Sequence, residues 1–163
     1  MRIQRHTILV VHEGYAEEHV LKHLRALYLA RGSGLALTTQ NARGGGGKHA
    51  LDLALRVWRR TPYDQVALLI DTDQDWDDAQ RERARRGGVL AIESSPCLEA
   101  WLLAVNGHAA TGNGALIKKE FERRYGAPAH ERHVYERHFP RSVLDANRDR
   151  VTVLDQLLCL MRV

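Results

Sequence analysis

Short apolar runs alternate with amphipathic stretches from Thr7 to about Asn106. Four runs are rich in β-branched or aliphatic residues and are typical of strands: TILVVHE, LALTTQN, QVALLID and GVLAIES. The third run is almost continuously apolar, as expected for a strand that is covered on both faces. The stretches between them, such as YAEEHVLKHLRALYLARG, carry apolar residues at helical spacing, and we expect this helix to end at Gly32 or Gly34. This alternation predicts an α/β fold with a parallel four-stranded sheet flanked by helices.

The pattern changes after the glycine-rich segment GHAATGNG. Three stretches beyond it have helical spacing with no strand between them: ALIKKEFERRYG, HERHVYERHF and SVLDANRDRVTVLDQLLCLM. Glycine-rich segments of this kind commonly separate structural units. We therefore predict an α/β core of residues 1–106 and a helical extension of residues 107–163 that packs on it.

Length, charge and cysteine content narrow the class of protein. A chain of 163 residues fits a single domain with a real core. The net charge of +4 permits an anionic partner such as nucleic acid, although many proteins without such a partner are equally basic. Cys97 and Cys159 have no metal-ligand spacing and lie in apolar surroundings, so we expect two reduced core residues in a cytoplasmic protein. The apolar runs are too short for a signal peptide or a membrane span, and no membrane partner is expected.

Carboxylates follow two of the predicted strands. Glu13 ends the first strand, and Asp71 and Asp73 end the third. If the strand order is 2-1-3-4, these strands are neighbours and their acids converge at the carboxyl edge, where α/β proteins bind ligands. Such a cluster repels itself unless a cation offsets the charge, and oxygen-only ligands suit Mg²⁺ or Mn²⁺. Each acid taken singly is also explained as a strand end or a cap of the next helix, but the three together favour a metal site.

Two further acids are reserve ligands. Asp75 lies where a charge also favours the first turn of the next helix. Glu99 is the only charged residue between Ser94 and Asn106. In that segment Ser95 is expected to cap a helix with Pro96 at its first position, so Glu99 is either a favourable first-turn charge or a carboxylate held near the metal.

Two basic regions are candidates for phosphate binding. ARGGGGKHA lacks the glycine spacing and the hydroxyl residue of a nucleotide P-loop, but its glycines leave amides at a helix start. It is a candidate phosphate nest or a solvated loop. IKKEFERRYG interleaves basic and aromatic residues and suits either a nucleic-acid surface or a solvated helix face. The phosphate-binding candidates in these regions are Arg43, Gly45, Gly46, Lys48, Lys118 and Lys119.

Three stretches together resemble a known family. ILVVHEG and LLIDTDQD resemble the TOPRIM domain, the glutamate-plus-DxD module of topoisomerases, primases, recombination proteins and OLD-type nucleases. ESSPCLEAWLLAV is similar to SNPCFELWLLLHF, a segment typical of RloB-like proteins, which are TOPRIM-type proteins associated with restriction and phage-defence loci. Ser95 and Leu98 depart from that segment, where the family has asparagine and phenylalanine.

The resemblance implies a Rossmann-like TOPRIM fold and Mg²⁺-dependent phosphodiester chemistry. In this family the aspartates, here Asp71 and Asp73, hold the metal, and the glutamate, here Glu13, is a ligand or a general acid/base. A second metal is implied if Asp75 or Glu99 contributes. The expected function is a nuclease or a related phosphodiester-processing component of a phage-defence or restriction-associated system, with nucleic acid as its partner.

Other functions stay open at this point. The main alternative is a non-catalytic TOPRIM-like module that docks on an ATPase and regulates it. A receiver-like phosphoacceptor domain also places acids after strands one and three, but it needs an acidic pair on the first strand and a lysine after a fifth strand. A haloacid-dehalogenase-type motif usually lies on the first strand, which makes it a weak match. A second copy of the chain is a further partner to consider.

Overall fold

The computed structural model describes residues 5–163, and its centre is a four-stranded parallel sheet. The strands are β1 (His6–His12), β2 (Leu35–Asn41), β3 (Gln65–Asp71) and β4 (Leu90–Ser94), in the order β2-β1-β3-β4. His12 at the end of β1 pairs with Asn41 on one side and Leu69 on the other. The predicted fold class, a parallel four-stranded sheet flanked by helices, is confirmed. The order also meets the condition under which the acids after β1 and β3 were expected to converge.

Eight α-helices flank the sheet within the described residues. They are α1 (Tyr15–Tyr28), α2 (Gly46–Arg60), α3 (Asp78–Arg86), α4 (Leu98–Val105), α5 (Gly114–Tyr125), α6 (Arg132–His138), α7 (Arg141–Asn147) and α8 (Thr152–Leu160). Helix α1 ends at Tyr28, before the glycines expected to end it, because Leu29 is already extended. The last predicted helical stretch is interrupted by a 3₁₀ turn at Arg148–Arg150. No described helix is long and apolar enough to cross a bilayer.

The sheet separates two apolar layers. Alternate residues of a strand point to opposite faces, so Ile8 and Val10 join one layer while Leu9 and Val11 join the other. The first layer contains side chains from α1 and from α4 to α8, so residues beyond 107 cover the same sheet face as α1. The second layer is closed by α2 and α3. Both faces of β3 are therefore covered, which explains its unbroken apolar run.

Two local predictions are wrong. Helix α4 begins at Leu98 with Cys97 as its N-cap, two residues later than the expected cap at Ser95. Cys97 is buried, but Cys159 is exposed and is not a core residue. The reason is the orientation of α8, whose apolar stripe through Leu154, Leu157 and Leu158 faces the sheet and leaves Cys159 outside.

Candidate functional site

The carboxyl edge of the sheet brings Glu13 and Asp71 together. Glu13 directly follows β1, and Asp71 is the last residue of β3, the strand beside it. The backbone N–H of Asp71 donates a hydrogen bond to Oε1 of Glu13 over 2.9 Å. The convergence expected from the strand order is thus present, and it is fixed by a backbone contact between the two strand ends.

Asp71 also caps the N-terminus of helix α4. Its Oδ1 accepts a hydrogen bond from the backbone N–H of Leu98, the first residue of α4, over 2.9 Å. Carboxylates are favoured at helix N-termini because amides there lack partners within the helix. The expected alternative was a cap on the helix that follows β3, but that helix, α3, is capped by Asp77, whose Oδ1 accepts the N–H of Gln80.

A cavity of about 700 Å³ opens beside these two acids. Its walls come from the end of β1, the start of α1, the glycine-rich loop and α5. The charged residues that line it are Glu13, Glu17, Arg43, Asp71, Glu99, Lys118 and Glu122, together with His130. The reserve ligand Glu99 and the basic candidates Arg43 and Lys118 are therefore gathered at the same place as the primary acids.

Glu17 is the site residue that the sequence reasoning missed. Only 6% of it is exposed, and its Oε2 accepts the backbone N–H of Gly14 over 3.1 Å. Glu17 stands three residues after the N-cap of α1, the usual position of a capping-box acid. That spacing was visible in the sequence, but it predicts a cap and gives no sign that the same carboxylate lines a buried cavity.

Asp73 and Asp75 lie outside the lining of the cavity. The strand ends at Asp71, and the N–H groups of Thr72 and Asp73 both turn toward the carbonyl of Pro96. The alternation that would place Asp71 and Asp73 on the same side therefore stops before Asp73, which is exposed, whereas Asp71 is buried. Asp75 is also exposed and has a positive φ of 50°. The ligand roles assigned to Asp73 and Asp75 stay predictions.

The glycine-rich loop is less free than expected. The N–H of Gly47 donates to the carbonyl of Gln74 over 3.2 Å, and the N–H of Lys48 donates to that of Asp75 over 3.1 Å. A Cβ on Gly46 would lie 3.1 Å from the Cβ of Asp75, so these glycines allow α2 to pack closely on the loop after β3. The backbone amides of Gly47 and Lys48 therefore already donate to carbonyls, and phosphate binding by this loop stays a prediction. Neither Lys48 nor the glycines Gly45 and Gly46 line the acidic cavity.

Burial and mutual repulsion make these carboxyls weak acids. Burial, together with the negative charges of Glu17, Glu13 and Glu99, raises the pKa of Asp71 to about 9. Burial, helped by the negative charges of Glu17 and Asp73, raises the pKa of Glu13 to about 7, although the hydrogen bond from Asp71 N–H opposes this. Burial also raises the pKa of Glu17. Without a bound cation, the cluster therefore retains protons near neutral pH.

The pKa of Lys118 is raised by the negative charges of the acidic cluster. Burial acts to lower the pKa of Lys118, but the negative charges of Glu99 and Asp71 outweigh burial, and the pKa is raised. The ammonium of Lys118 in turn lowers the pKa of Asp71. Its neighbour Lys119 does not line the cavity, so only Lys118 of the two predicted lysines is placed beside the acids.

The donor chemistry of the cluster suits a hard divalent cation, but the cluster is not a closed metal cage. Among residues 5–163, no three His, Cys, Asp or Glu side chains form a group that could hold a metal ion. Mg²⁺ commonly binds through one or two carboxylates and completes its shell with water and substrate phosphate. Glu13 and Asp71 supply such a pair, and the buried Oε2 of Glu99 has no hydrogen-bond partner. The residues therefore fit an open Mg²⁺ site in which substrate completes the coordination.

Comparison of the chain with protein-family models, with curated proteins and with solved structures finds no match in any of the three. The TOPRIM resemblance thus rests on the three sequence stretches that carry it.

Proposed function

We propose that the protein is a Mg²⁺-dependent phosphodiesterase that acts on nucleic acid, of the nuclease type found in phage-defence and restriction-associated systems. The observation that carries the proposal is the pairing of Glu13 and Asp71 at adjacent strand ends, in a cavity that Arg43 and Lys118 also line. Two carboxylates can hold a divalent cation and two basic side chains can bind phosphate, so this arrangement of charges suits metal-assisted phosphodiester chemistry.

The hydrogen bonds of the two carboxylates support the proposed ligand roles. Oε1 of Glu13 is held by the N–H of Asp71, and Oδ1 of Asp71 is held by the N–H of Leu98. One oxygen of each carboxylate is thereby fixed to the backbone, and the other is left to face a cation. A bound Mg²⁺ would supply a water of lowered pKa and would offset negative charge on the phosphate. Asp71 is proposed as a ligand, and Glu13 as a ligand or as the proton acceptor.

The basic residues are proposed to position the substrate. The guanidinium of Arg43 can pair with two phosphate oxygens at once, and the ammonium of Lys118 can contact one more. The two residues belong to different elements, Arg43 to the loop after β2 and Lys118 to α5. A phosphate bound between them would therefore be held from two sides.

The two competing functions receive less support. A docking module was expected to expose an apolar face on the C-terminal helices. The exposed large apolar side chains in the described part of the chain are Tyr15, Leu90, Leu116 and Val163, which are scattered over four elements or ends. A receiver-like domain needs a fifth strand, and the sheet formed by residues 5–163 has four.

The proposal is tested by calorimetric titration of Mg²⁺ and Mn²⁺, followed by cleavage assays on single- and double-stranded DNA and RNA. Asp71→Asn and Glu13→Gln are expected to abolish cation binding and cleavage. Lys118→Met is expected to bind the cation at least as well as wild type, because a positive charge is removed, but to cleave at least tenfold more slowly. Asp77→Asn is the matched control, since it removes an exposed carboxylate that caps a helix outside the cavity.

The outcome of these assays separates metal binding from catalysis. Cation binding by wild type up to millimolar concentrations, lost in Asp71→Asn and kept in Asp77→Asn, supports the site. Absence of binding and of cleavage in wild type would overturn the proposal. Cleavage that survives in Glu13→Gln would remove Glu13 from it.

A further inference from the structure

A second cavity, of about 470 Å³, lies at the amino edge of the sheet, opposite the acids. It is formed by the end of α1, the loop that follows it and the first residues of β2. Three arginines line it: Arg5, just before β1, Arg25 in the last turn of α1, and Arg31 in the loop. No sequence motif pointed to this region, and it shares no lining residue with the acidic cavity.

The arginine cavity carries positive charge without a counter-charge. Among the described residues, no Asp or Glu lines it, and none of its three arginines forms an ion pair. Arginines elsewhere in the chain differ, since Arg81 pairs with Glu93 and Arg148 with Asp155. Three guanidinium groups around one concavity repel each other, and a bound anion would relieve that repulsion.

The helix dipole explains only part of this arrangement. A cation in the last turn of a helix is favourable, and Arg25 occupies that position on α1. Arg5 lies on no helix, and Arg31 lies three residues beyond the end of α1. The helix dipole therefore does not account for Arg5 and Arg31 at this cavity.

Part of the cavity lining is apolar. Leu29, Leu35 and Leu37 line it together with the arginines, and Leu37 is buried. Its volume lies in the range of about 300–1,000 Å³ that small-molecule sites occupy. The ligand that fits both features has a charged end for the arginines and an apolar or aromatic body for the leucines.

We propose that this cavity binds a phosphate monoester carried on an apolar or aromatic body, of which a nucleoside monophosphate is the simplest example. A phosphate monoester carries a charge of about −1.5 to −2 and three acceptor oxygens, which suits three guanidinium groups better than a carboxylate with one charge and two oxygens. A free nucleotide and the 5′-phosphorylated end of a nucleic acid present the same chemistry. The inference does not depend on the function proposed for the acidic cavity.

The test is a binding titration in buffer that contains a chelator, so that no divalent cation can contribute. The probes are inorganic phosphate, a nucleoside monophosphate, the same nucleoside without phosphate, and one oligonucleotide with and without a 5′-phosphate. The monophosphate is expected to bind at least tenfold more tightly than the nucleoside. Preference for the phosphorylated oligonucleotide over the free monophosphate would identify a nucleic-acid end as the source of the phosphate, and the reverse would identify a free nucleotide.

Arginine variants test whether the monophosphate binds in this cavity. Arg25→Gln/Arg31→Gln is expected to weaken binding of the monophosphate at least tenfold. Arg59→Gln/Arg60→Gln removes the same charge from the last turn of α2 and is expected to change binding less than twofold. Arg5→Gln, which alters no helix, is the second variant if the first does not fold.

Three results would overturn the inference. They are no binding of any phosphate probe by wild type, equal weakening by the two double variants, and unchanged binding in the arginine-cavity variants.

Discussion

The carboxylate of Asp71 has two separable roles in the metal-free protein. Its Oδ1 accepts the N–H of Leu98, and its charge lies among those of Glu13, Glu17 and Glu99. Asparagine keeps an acceptor oxygen for Leu98 and removes the charge. Because the charge is unfavourable and the hydrogen bond is retained, Asp71→Asn is expected to stabilise the protein when no divalent cation is present.

The size of the effect follows from the pKa of Asp71. The folded chain holds this proton up to about pH 9, whereas an ordinary aspartate loses it near pH 3.8. At pH 8 the fold therefore carries a cost of up to about 6 kcal/mol, at 1.36 kcal/mol for each pH unit above the ordinary pKa. Asparagine does not remove the whole of this cost, because Glu13, Glu17 and Glu99 stay buried and continue to repel one another. We expect asparagine to recover about 2 kcal/mol, comparable to the gain of up to about 1–4 kcal/mol obtained when a buried ion pair is replaced by well-packed apolar residues of similar volume.

The assay is urea unfolding at pH 8 in the presence of a chelator. With an m-value of about 2 kcal/mol/M, a gain of about 2 kcal/mol raises the midpoint by about 1 M. Asp77→Asn is the control, because Asp77 is exposed and asparagine caps a helix equally well, so its midpoint should change by less than about 0.3 M. Added Mg²⁺ should then raise the midpoint of wild type but not that of Asp71→Asn, since a cation that binds only the folded state stabilises it by mass action.

One result would refute this reasoning. If Asp71→Asn unfolds at a lower urea concentration than wild type under metal-free conditions at pH 8, the charge of Asp71 is not a net cost to the fold. The carboxylate would then have to be stabilised in its ionised form, contrary to the raised pKa.

Three further outcomes are expected. Metal-free wild type should lose stability steadily from pH 5 to pH 9, because the folded state binds the Asp71 proton more tightly than the unfolded chain does, and chemical unfolding at several pH values measures this. Gly47→Ala should destabilise the protein by about 1–3 kcal/mol, since its Cβ would lie 2.8 Å from the buried ring of Trp76; urea unfolding measures the loss. Trp101→Phe should cost about 1–3 kcal/mol in the same assay, because it leaves the fully buried hydroxyl of Ser94 without the indole N–H that donates to it over 3.0 Å.

Each of the two substitutions has a control of the same chemical type at a less crowded or less buried position. Gly14→Ala places a Cβ at 3.4 Å from Oε2 of Glu17, an ordinary contact, and should cost less than the change at Gly47. Trp58→Phe removes an indole N–H that donates to the carbonyl of Tyr63 near the surface, and should cost less than the change at Trp101. A gain in stability of wild type between pH 5 and pH 9 would contradict the raised pKa of Asp71. A control variant that costs more than its partner would show that the contact at Gly47 or at Trp101 does not set the loss.

Strand patterns and strand-end acids were readable from the sequence because they depend on local chemistry. The bounds of β2 and β3 coincide with the predicted runs, since β-branched and aliphatic residues between turn residues specify a covered strand. Glu13 and Asp71 could be paired in advance because the carboxyl ends of neighbouring parallel strands meet at one edge. The start of α4 could not be predicted, because its first amide is satisfied by Asp71, 27 residues earlier in the chain.

The remaining features depend on contacts between distant segments. The sequence alone indicated the parallel four-stranded sheet and the acids at its strand ends, because periodicity and strand chemistry act over a few residues. The approach of Glu13 to Asp71 followed from it only on the condition that the strand order is 2-1-3-4, which the structure meets. Only the tertiary structure decided that Glu17 and Glu99 line the cavity with them while Asp73 stays exposed outside its lining. It also decided that the glycine loop packs on the segment after β3 and that three arginines line one cavity at the opposite edge. Those outcomes depend on how helices from separate parts of the chain settle against the sheet, and burial there changes the pKa of an acid that would be ordinary in water.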